Sequence, residues 1–534
     1  MHLSYQELCE DVFQLAQLLV DSHPDPYSAG GGALAFRRKV VELIETLPDD
    51  GLTEWQFLRR LRPLIASLKD GHTMLHSLES QTISTKRIWW EWEAVEEQLV
   101  LMKVHQPEER CLLGARLAHI EHVPFAELVR RVDQVRGCDN LYQQLIYLAS
   151  AFRQTDLLAE LLECDELPSS LRLTLLLPDD TERELEVHLS EVQPGEMIVP
   201  ESSITRLPTL NAAQLGWSFL DEQQHIAYLR ATSMFHYREA FEFSYAVGYQ
   251  MHLGHELDAT VRKVLQEPLP ESVEAKIAAV PSATNLLLEL FTAMREANST
   301  HLIVDLRSCP GGNSLFGSML IYFLYGVENL LSTIGGYQIK RYSPLYFENY
   351  QQTSPEQFQH VLQNGGYDFA DEQNWQHVQQ TGLTALDRQR DYEDYQQYFS
   401  KMPTFAPVFE QRRGEKLWTP EVVVLTSADT FSAGFDVAVY LWRRGARIAG
   451  VPSAQAGNCF IDVLKYQLRH SGLSGYISHK RSLYFPDDPE RGKLLRPAHE
   501  LTYAYLVSQN FDPHAAVSLA LASLSGESEA MRNL

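Results

Sequence analysis

An α/β fold, with a helical amino-terminal part and a small β-rich middle, is predicted by three observations. Short β-branched runs each give way to an apolar helix: Leu302-Ile303-Val304 before Leu315 to Leu324, and Val422-Val423-Val424-Leu425 before Phe435 to Arg443. The amino-terminal segment up to Leu68 instead spaces its apolar residues for helices. From about Lys86 the apolar period falls to two. The expected division is a helical domain over 1–85, a β-rich module over 86–205, and a strand–helix domain over 206–534 carrying an insertion at about 337–418.

The chain has 534 residues, and that length suggests roughly three domains. A hydrophobic content of 45% with 22% charged residues is that of an ordinary globular protein. The formal net charge of -25 argues against nucleic acid and anionic membrane as partners, since both would be repelled. Six cysteines lie scattered without a CxxC pair, so free thiols are expected and no metal site or cofactor is called for. The longest apolar stretch, Leu315 to Val327, is interrupted by Gly317, Ser318 and Gly326 and is too short to cross a bilayer. Residues 2–21 are amphipathic and acidic, unlike a secretory leader. The expected compartment is the cytoplasm; the alternative is an exported, periplasmic protein whose leader has been removed.

Taken in order, Ser4 and Glu7 form a capping box, and Tyr5, Leu8, Val12, Leu15 and Leu19 follow at helical spacing as far as His23-Pro24-Asp25-Pro26. Gly30-Gly31-Gly32 is a loop; no strand precedes it, so it is no phosphate cradle. A second helix covers Ala35 to Leu47. A third opens at the Thr53/Gln56 capping box and buries Phe57, Leu61, Leu64, Ile65 and Leu68, with a kink expected at Pro63. It runs into Asp70-Gly71-His72-Thr73, which puts His72 on a tight turn.

In the middle module Ile88, Trp90 and Trp92 alternate, then Leu99 and Leu101. Leu117 to Val123 reads as a strand, Phe125 to Val132 as a helix, and further helices fall around 140–163. Leu171, Leu173, Leu175 and Leu177 alternate into the turn Pro178-Asp179-Asp180, and Leu185, Val187 and Leu189 return from it. No catalytic constellation is visible here; binding or spacing is the expected role.

In the third region His225 to Thr232 reads as a strand and Ser282 to Asn298 as a helix following Pro281. The strand at Leu302 ends in Asp305-Leu306-Arg307 and leads into Ser308-Cys309-Pro310-Gly311-Gly312-Asn313. A glycine pair between strand and helix lets backbone approach a ligand closely and leaves N–H groups free. The insertion is rich in Gln, Asp and Tyr, yet Phe358, Tyr367, Phe369, Trp375, Tyr395 and Phe399 suit an ordered lid better than a disordered linker. Strands resume at Arg447 to Gly450, Asp462 to Leu468 and Gly475 to His479. Asp512-Pro513 is read as N-cap and N1 of a last helix ending near Leu524.

Within Thr426-Ser427-Ala428-Asp429-Thr430-Phe431-Ser432-Ala433-Gly434-Phe435, Ser432 falls on a strand-to-helix turn. Its hydroxyl can be exposed there while the next amides point outward, which suits a nucleophile beside an oxyanion hole. A plain helix cap is the competing reading. An α/β-hydrolase esterase would want Gly-x-Ser-x-Gly, whereas Thr430 stands at the first glycine, and would take its histidine from His470, His479 or His499. A zinc hydrolase fits less well, because His72-x-x-x-His76 follows a glycine turn with no Glu between the histidines.

Asp70-Gly71-His72-Thr73, then Ile303-Val304-Asp305-Leu306-Arg307 with Pro310-Gly311-Gly312, then Leu425-Thr426-Ser427 with Thr430, Ser432 and Ala433, occur in that order. Together they resemble the serine peptidases of the C-terminal processing (tail-specific) protease family, in its tricorn-core-like, histidine-using branch. Gly450-Val451-Pro452-Ser453 through Asn458 is similar to that family's loop after the nucleophile, and Leu473 to Tyr484 and Phe511-Asp512-Pro513 to its closing strands and terminal helix. The resemblance implies a ClpP/crotonase-like spiral catalytic domain and a degenerate PDZ-like middle module. It implies Ser432 as nucleophile, His72 as general base, and an oxyanion hole from Ala433 with Gly311 or Gly312. Some members use a Ser/Lys dyad instead; here the corresponding stretch reads Ala454-Gln455-Ala456-Gly457-Asn458 and the nearest lysine is Lys465. The acid that the resemblance points to is Glu490, with Asp487 and Asp488 beside it, although Arg496-Pro497-Ala498-His499 stands where Pro-Asp is usual. The expected activity is that of a serine endopeptidase on unfolded or extended polypeptide, needing no cofactor, with the oligomeric state left open. The alternatives are an inactive member serving as a peptide-binding scaffold and, further off, the esterase.

Overall fold

The computed structural model describes residues 2–524 apart from 77–85, 194, 250–252, 266–267, 331–335, 352, 372–381, 383 and 416–417. Trp375, counted above among the aromatics of the insertion, lies outside the described residues. The fold is mixed α/β, with several sheets and helices packed on them.

A six-stranded sheet organises the carboxyl-terminal part, in the spatial order Leu215–Phe219, Ile226–Ala231, His301–Asp305, Glu421–Thr426, Arg447–Gly450 and His499–Glu500. Only the first pair is antiparallel. Parallel strands are covered on both faces, which is why these read as unbroken apolar runs. Their side chains nonetheless sort by parity. Leu302, Val304, Val422 and Val424 pack with the helices Ala283–Ala297, Leu315–Tyr325 and Ala433–Arg443. Ile303, Val423 and Leu425 face the other way, into a core shared with the middle module and the helix Ala515–Leu524.

Val273–Ala297 is long and apolar enough to cross a membrane by length and composition. It is two helices, Val273–Ala279 and Ala283–Ala297, and the second buries Leu287, Leu290 and Met294 in the core.

The middle module is an antiparallel sheet of Glu91–Val95, Gln98–Lys103, Arg116–Ile120, Ser170–Leu176 and Glu182–His188, with Val123–Pro124 paired to its third strand. Helices Phe125–Val135, Leu141–Ala151 and Thr155–Leu161 lie against it.

The remaining large sheet joins the two ends of the chain. Tyr367–Asp371, Tyr337–Arg341, Ser474–Leu483 and Asn458–Gln467 lie side by side, and Met74–His76 pairs antiparallel with Ser474 to Tyr476. Helices Tyr5–Ser22, Ala33–Glu45 and Glu54–Ala66 cover this sheet, with Leu15, Leu19, Leu61 and Ile65 in one core with Leu464, Tyr466 and Ile477. Both predicted capping boxes are formed, and the third helix continues through Pro63 to Ala66.

One end differs from expectation. The last helix begins at Ala515, not at Pro513. Asp512 closes the turn before it: one carboxylate oxygen accepts from the backbone N–H of His514 (2.7 Å) and the other from that of Ser203 (2.7 Å).

Candidate active site

Two turns leave neighbouring parallel strands at the same end of the central sheet, because strands in parallel register end together. After His301–Asp305 comes Pro310-Gly311-Gly312, with Gly311 at φ +108° and Gly312 at φ +138°. A Cβ on Gly311 would stand 2.5 Å from the Cβ of Ser432, and one on Gly312 would stand 2.3 Å from the carbonyl carbon of Met234. Only glycine fits at either position.

After Glu421–Thr426 comes the Ser432 turn. Ser432 sits at φ 51°, ψ -126°, just before the helix Ala433–Arg443. That backbone conformation is nearly forbidden to a residue with a side chain and persists only where its surroundings hold it. Here the Ser432 N–H donates to Gln455 Oε1 (2.6 Å), Phe431 N–H donates to the Cys309 carbonyl (3.0 Å), and Thr430 Oγ1 donates to the Leu306 carbonyl (2.8 Å). The Ser432 side chain makes no cap bond. The first amide of the helix, that of Ala433, has no partner within the helix.

The pairing of Met74–His76 with Ser474 to Tyr476 delivers the Asp70–Thr73 turn to this place. His72 and Ser432 line one cavity of about 950 Å³, with Gly71, Phe431, Gly312 and Asp462 also in its wall. The imidazole stacks on Phe431, and neither of its nitrogens has a hydrogen-bond partner among the described residues. Burial lowers the His72 pKa; the Asp70 and Asp462 carboxylates and the backbone of Phe460 oppose the shift. Asp70 is fully buried and braces the turn. It accepts from the His72 N–H (2.8 Å), from Thr73 Oγ1 (2.5 Å), and makes a 3.1 Å bond with His23 Nε2. Burial alone would raise the Asp70 pKa, but these partners hold it down at about 2.

Ser432, His72, Gly311, Gly312 and Ala433 are thus brought into one neighbourhood. Glu490 is not among the residues lining the cavity. It lies on the short helix Pro489–Lys493, 87% exposed, and pairs with Lys493 at 3.1 Å. The carboxylates whose charge reaches His72 are those of Asp70 and Asp462, the latter on the strand Asn458–Gln467 and 3.2 Å from Lys480 Nζ. Sequence reading passed over Asp462, since a lone acid in a strand carries no local signal. It also passed over Gln455 and the middle-module residues Asp139, Asn140 and Gln143, which hold the loops from outside.

Residues 275–458 match the sequence model of peptidase family S41. The match takes in both Pro310-Gly311-Gly312 and Ser432. The segment that carries both turns is thus similar to peptidase family S41. That match supports a serine-type peptidase, a class that acts on polypeptides. Among solved structures, this chain is similar to mature CPAF complexed with lactacystin, with 12% identity, coverage of 97% of this chain and 98% of that chain, and a TM-score of 0.58. Mature CPAF is similar at 13% identity, 96% of each chain and a TM-score of 0.51. At such identities the likeness speaks for the fold. Curated protein sequences give no match.

Proposed function

We propose that this chain is a serine endopeptidase of the S41 type that cleaves unfolded or extended polypeptide through an acyl-enzyme on Ser432. One observation carries the reading: the strained turn of Ser432 opens onto the same cavity as a buried imidazole whose nitrogens are unpartnered.

A serine hydroxyl is a weak nucleophile until a base takes its proton. His72, with its pKa lowered by burial, is neutral at neutral pH and so has a lone pair free to accept. In this scheme Ser432 Oγ attacks the scissile carbonyl carbon as its proton passes to His72. The oxygen becomes an oxyanion facing the amides of Ala433 and Gly312, with Gly311 holding the two turns in contact. Collapse of the tetrahedral intermediate breaks the C–N bond, and His72 protonates the departing amine. Water, deprotonated by His72, then attacks the ester and frees Ser432. Removing one oxyanion donor from such a site costs about 3–4 kcal/mol of transition-state stabilisation. As the acid beside His72, Asp462 has better support than Glu490, because its charge reaches the imidazole.

The extended form of the substrate is argued from the strand Asn458–Gln467, the last of its sheet's order, whose Ile461, Asp462 and Val463 line the cavity. A chain added along that edge would gain main-chain hydrogen bonds without needing a particular sequence. The nearly parallel central sheet supports a ClpP/crotonase-like spiral for the catalytic domain. The antiparallel middle sheet with its helix Phe125–Val135 supports the degenerate PDZ-like reading.

The test is a fluorophosphonate probe with casein and short acyl esters as substrates. Labelling of the wild type but not of Ser432→Ala, with casein hydrolysis lost in His72→Ala, is expected. A wild type that takes no label is a scaffold; turnover of esters without casein marks an esterase.

A further inference from the structure

Asp139 belongs to the middle module, just before the helix Leu141–Ala151, yet its carboxylate is shared between the two halves of the candidate site. Oδ1 accepts from the N–H of Gly71 at 2.8 Å, next to His72. Oδ2 accepts from the N–H of Ala456 at 3.2 Å, next to the Gln455 whose Oε1 takes the Ser432 N–H. The surrounding contacts repeat the same connection. Gln143 donates to the Gly71 carbonyl (3.3 Å) and accepts from the Asp139 N–H (2.7 Å), while Asn140 donates to the Ser453 carbonyl (3.1 Å). A Cβ on Gly137 would stand 2.3 Å from the Asp70 carbonyl oxygen, so the segment is pressed directly onto the turn of His72.

We propose that Asp139 is a positioning residue of the peptidase: its one carboxylate ties the turn carrying His72 to the loop holding Ser432 and so sets base and nucleophile relative to each other. The inference rests on the assignment of Ser432 and His72 made above. Both of its bonds take N–H donors, so both need acceptor oxygens. A protonated carboxyl, or an asparagine amide, has only one good acceptor and presents a donor to the other amide.

This makes the strut dependent on pH in a readable window. Burial, then the neighbouring Asp70, raise the Asp139 pKa to about 7 against the pull of the two amides. The titratable groups facing it are Asp70 on the His72 turn, Cys459 on the strand Asn458–Gln467, and Cys138 and Tyr147 on its own segment. Asp70 is held at about 2, the thiols are pushed well up, and Tyr147 is raised to about 12. Asp139 is therefore the member of this group that changes charge near neutrality.

The experiment compares full-length wild type, Asp139→Asn and Ser432→Ala. It reads fluorophosphonate labelling rate at Ser432, and kcat and KM on an unfolded protein substrate, between pH 5.5 and pH 9. For Asp139→Asn we expect kcat and labelling rate about tenfold lower at pH 8, equivalent to about 1.4 kcal/mol, with KM within about twofold. The gap should close below pH 6, where wild-type Asp139 is itself protonated. Equal rates at pH 8, or the same loss at every pH, would overturn the proposal. Should the variant fail to fold, the wild-type profile decides: a limb near pH 7 distinct from the His72 limb supports the strut, and a single limb below 6.5 overturns it. A wild type that takes no label at Ser432 overturns the functional assignment and this inference with it, whereas a labelled wild type with an indifferent Asn variant overturns this inference alone.

Discussion

The imidazole of His72 lies stacked on the ring of Phe431, the residue immediately before Ser432, with centroids 4.5 Å apart and planes inclined by 26°. The ring nitrogens make no close hydrogen bond among the described residues, and the backbone of Phe460 is the one polar group that acts on them as a weak partner. The ring of Phe431 therefore packs the imidazole against the serine turn. A stacked aromatic pair is worth about 0.5–1.5 kcal/mol beyond its buried area. Phe431→Ala is expected to cut the labelling rate of Ser432 roughly 3- to 10-fold with the fold intact, whereas Phe431→Tyr should stay near wild type. Labelling kinetics alongside a melting curve check both.

Ser432 stores backbone strain, and glycine would relieve it. At φ 51°, ψ -126° a residue with a Cβ is held against its preference, a cost of about 1–3 kcal/mol that glycine does not bear. Ser432→Gly should be inactive and yet more stable than Ser432→Ala, by about 1 kcal/mol or more in denaturant unfolding. Equal stabilities would mean the turn is unstrained.

The two candidate acids are separable by mutation. Asp462→Asn is expected to lower kcat while leaving the fold in place, because it removes a charge that favours the imidazolium formed in the reaction. Glu490→Gln should leave kcat within about twofold, since Glu490 pairs with Lys493 at the surface and exposed pairs of this kind contribute little. The reverse ranking would return Glu490 to the active site.

The pH dependence of stability has a definite sign at two buried groups. His72 has a lowered pKa, so the fold disfavours its protonated form, and stability falls as pH drops through the ordinary histidine range near 6.5. Asp70, held at about 2, contributes stability above its unfolded value of 3.8 that is lost as pH falls from there through 2. That shift corresponds to about 2 kcal/mol. Unfolding measured from pH 8 to pH 2 should show the first loss shrink in His72→Phe and the second in Asp70→Asn, the remainder belonging to groups shifted the same way, His479 and Asp305 among them.

What could be read from the sequence was whatever is decided locally. The Ser432 turn was legible because strand, turn and helix follow one another along the chain, and the Gly311-Gly312 turn for the same reason. The capping boxes at Ser4 and Thr53 were equally plain, since each needs only residues three apart. The destination of His72 was not local: it depends on Met74–His76 choosing Ser474 to Tyr476 as its partner, and only the resemblance pointed to that meeting. The resemblance nominated Glu490, but it could not report that the short helix Pro489–Lys493 carries that side chain at the surface. Asp512 was legible as a capping side chain, since it accepts from the N–H of His514, while its second bond, to Ser203, had no local sign. Asp139 carried no sequence signal at all, because its two donors come from Gly71 and Ala456, on opposite sides of it in the chain.

The antiparallel pairing of Met74–His76 with Ser474 to Tyr476 has a bearing on when the molecule becomes dangerous to other chains. Synthesis proceeds from the amino terminus, so the imidazole is made early and waits for the segment that receives it, 400 residues later (474 − 74). Until that late strand emerges and zips onto the early one, hydroxyl and imidazole remain strangers. On the assignment proposed above, proteolytic competence cannot precede that pairing, and a polypeptide stalled on the ribosome before it would be harmless to its neighbours.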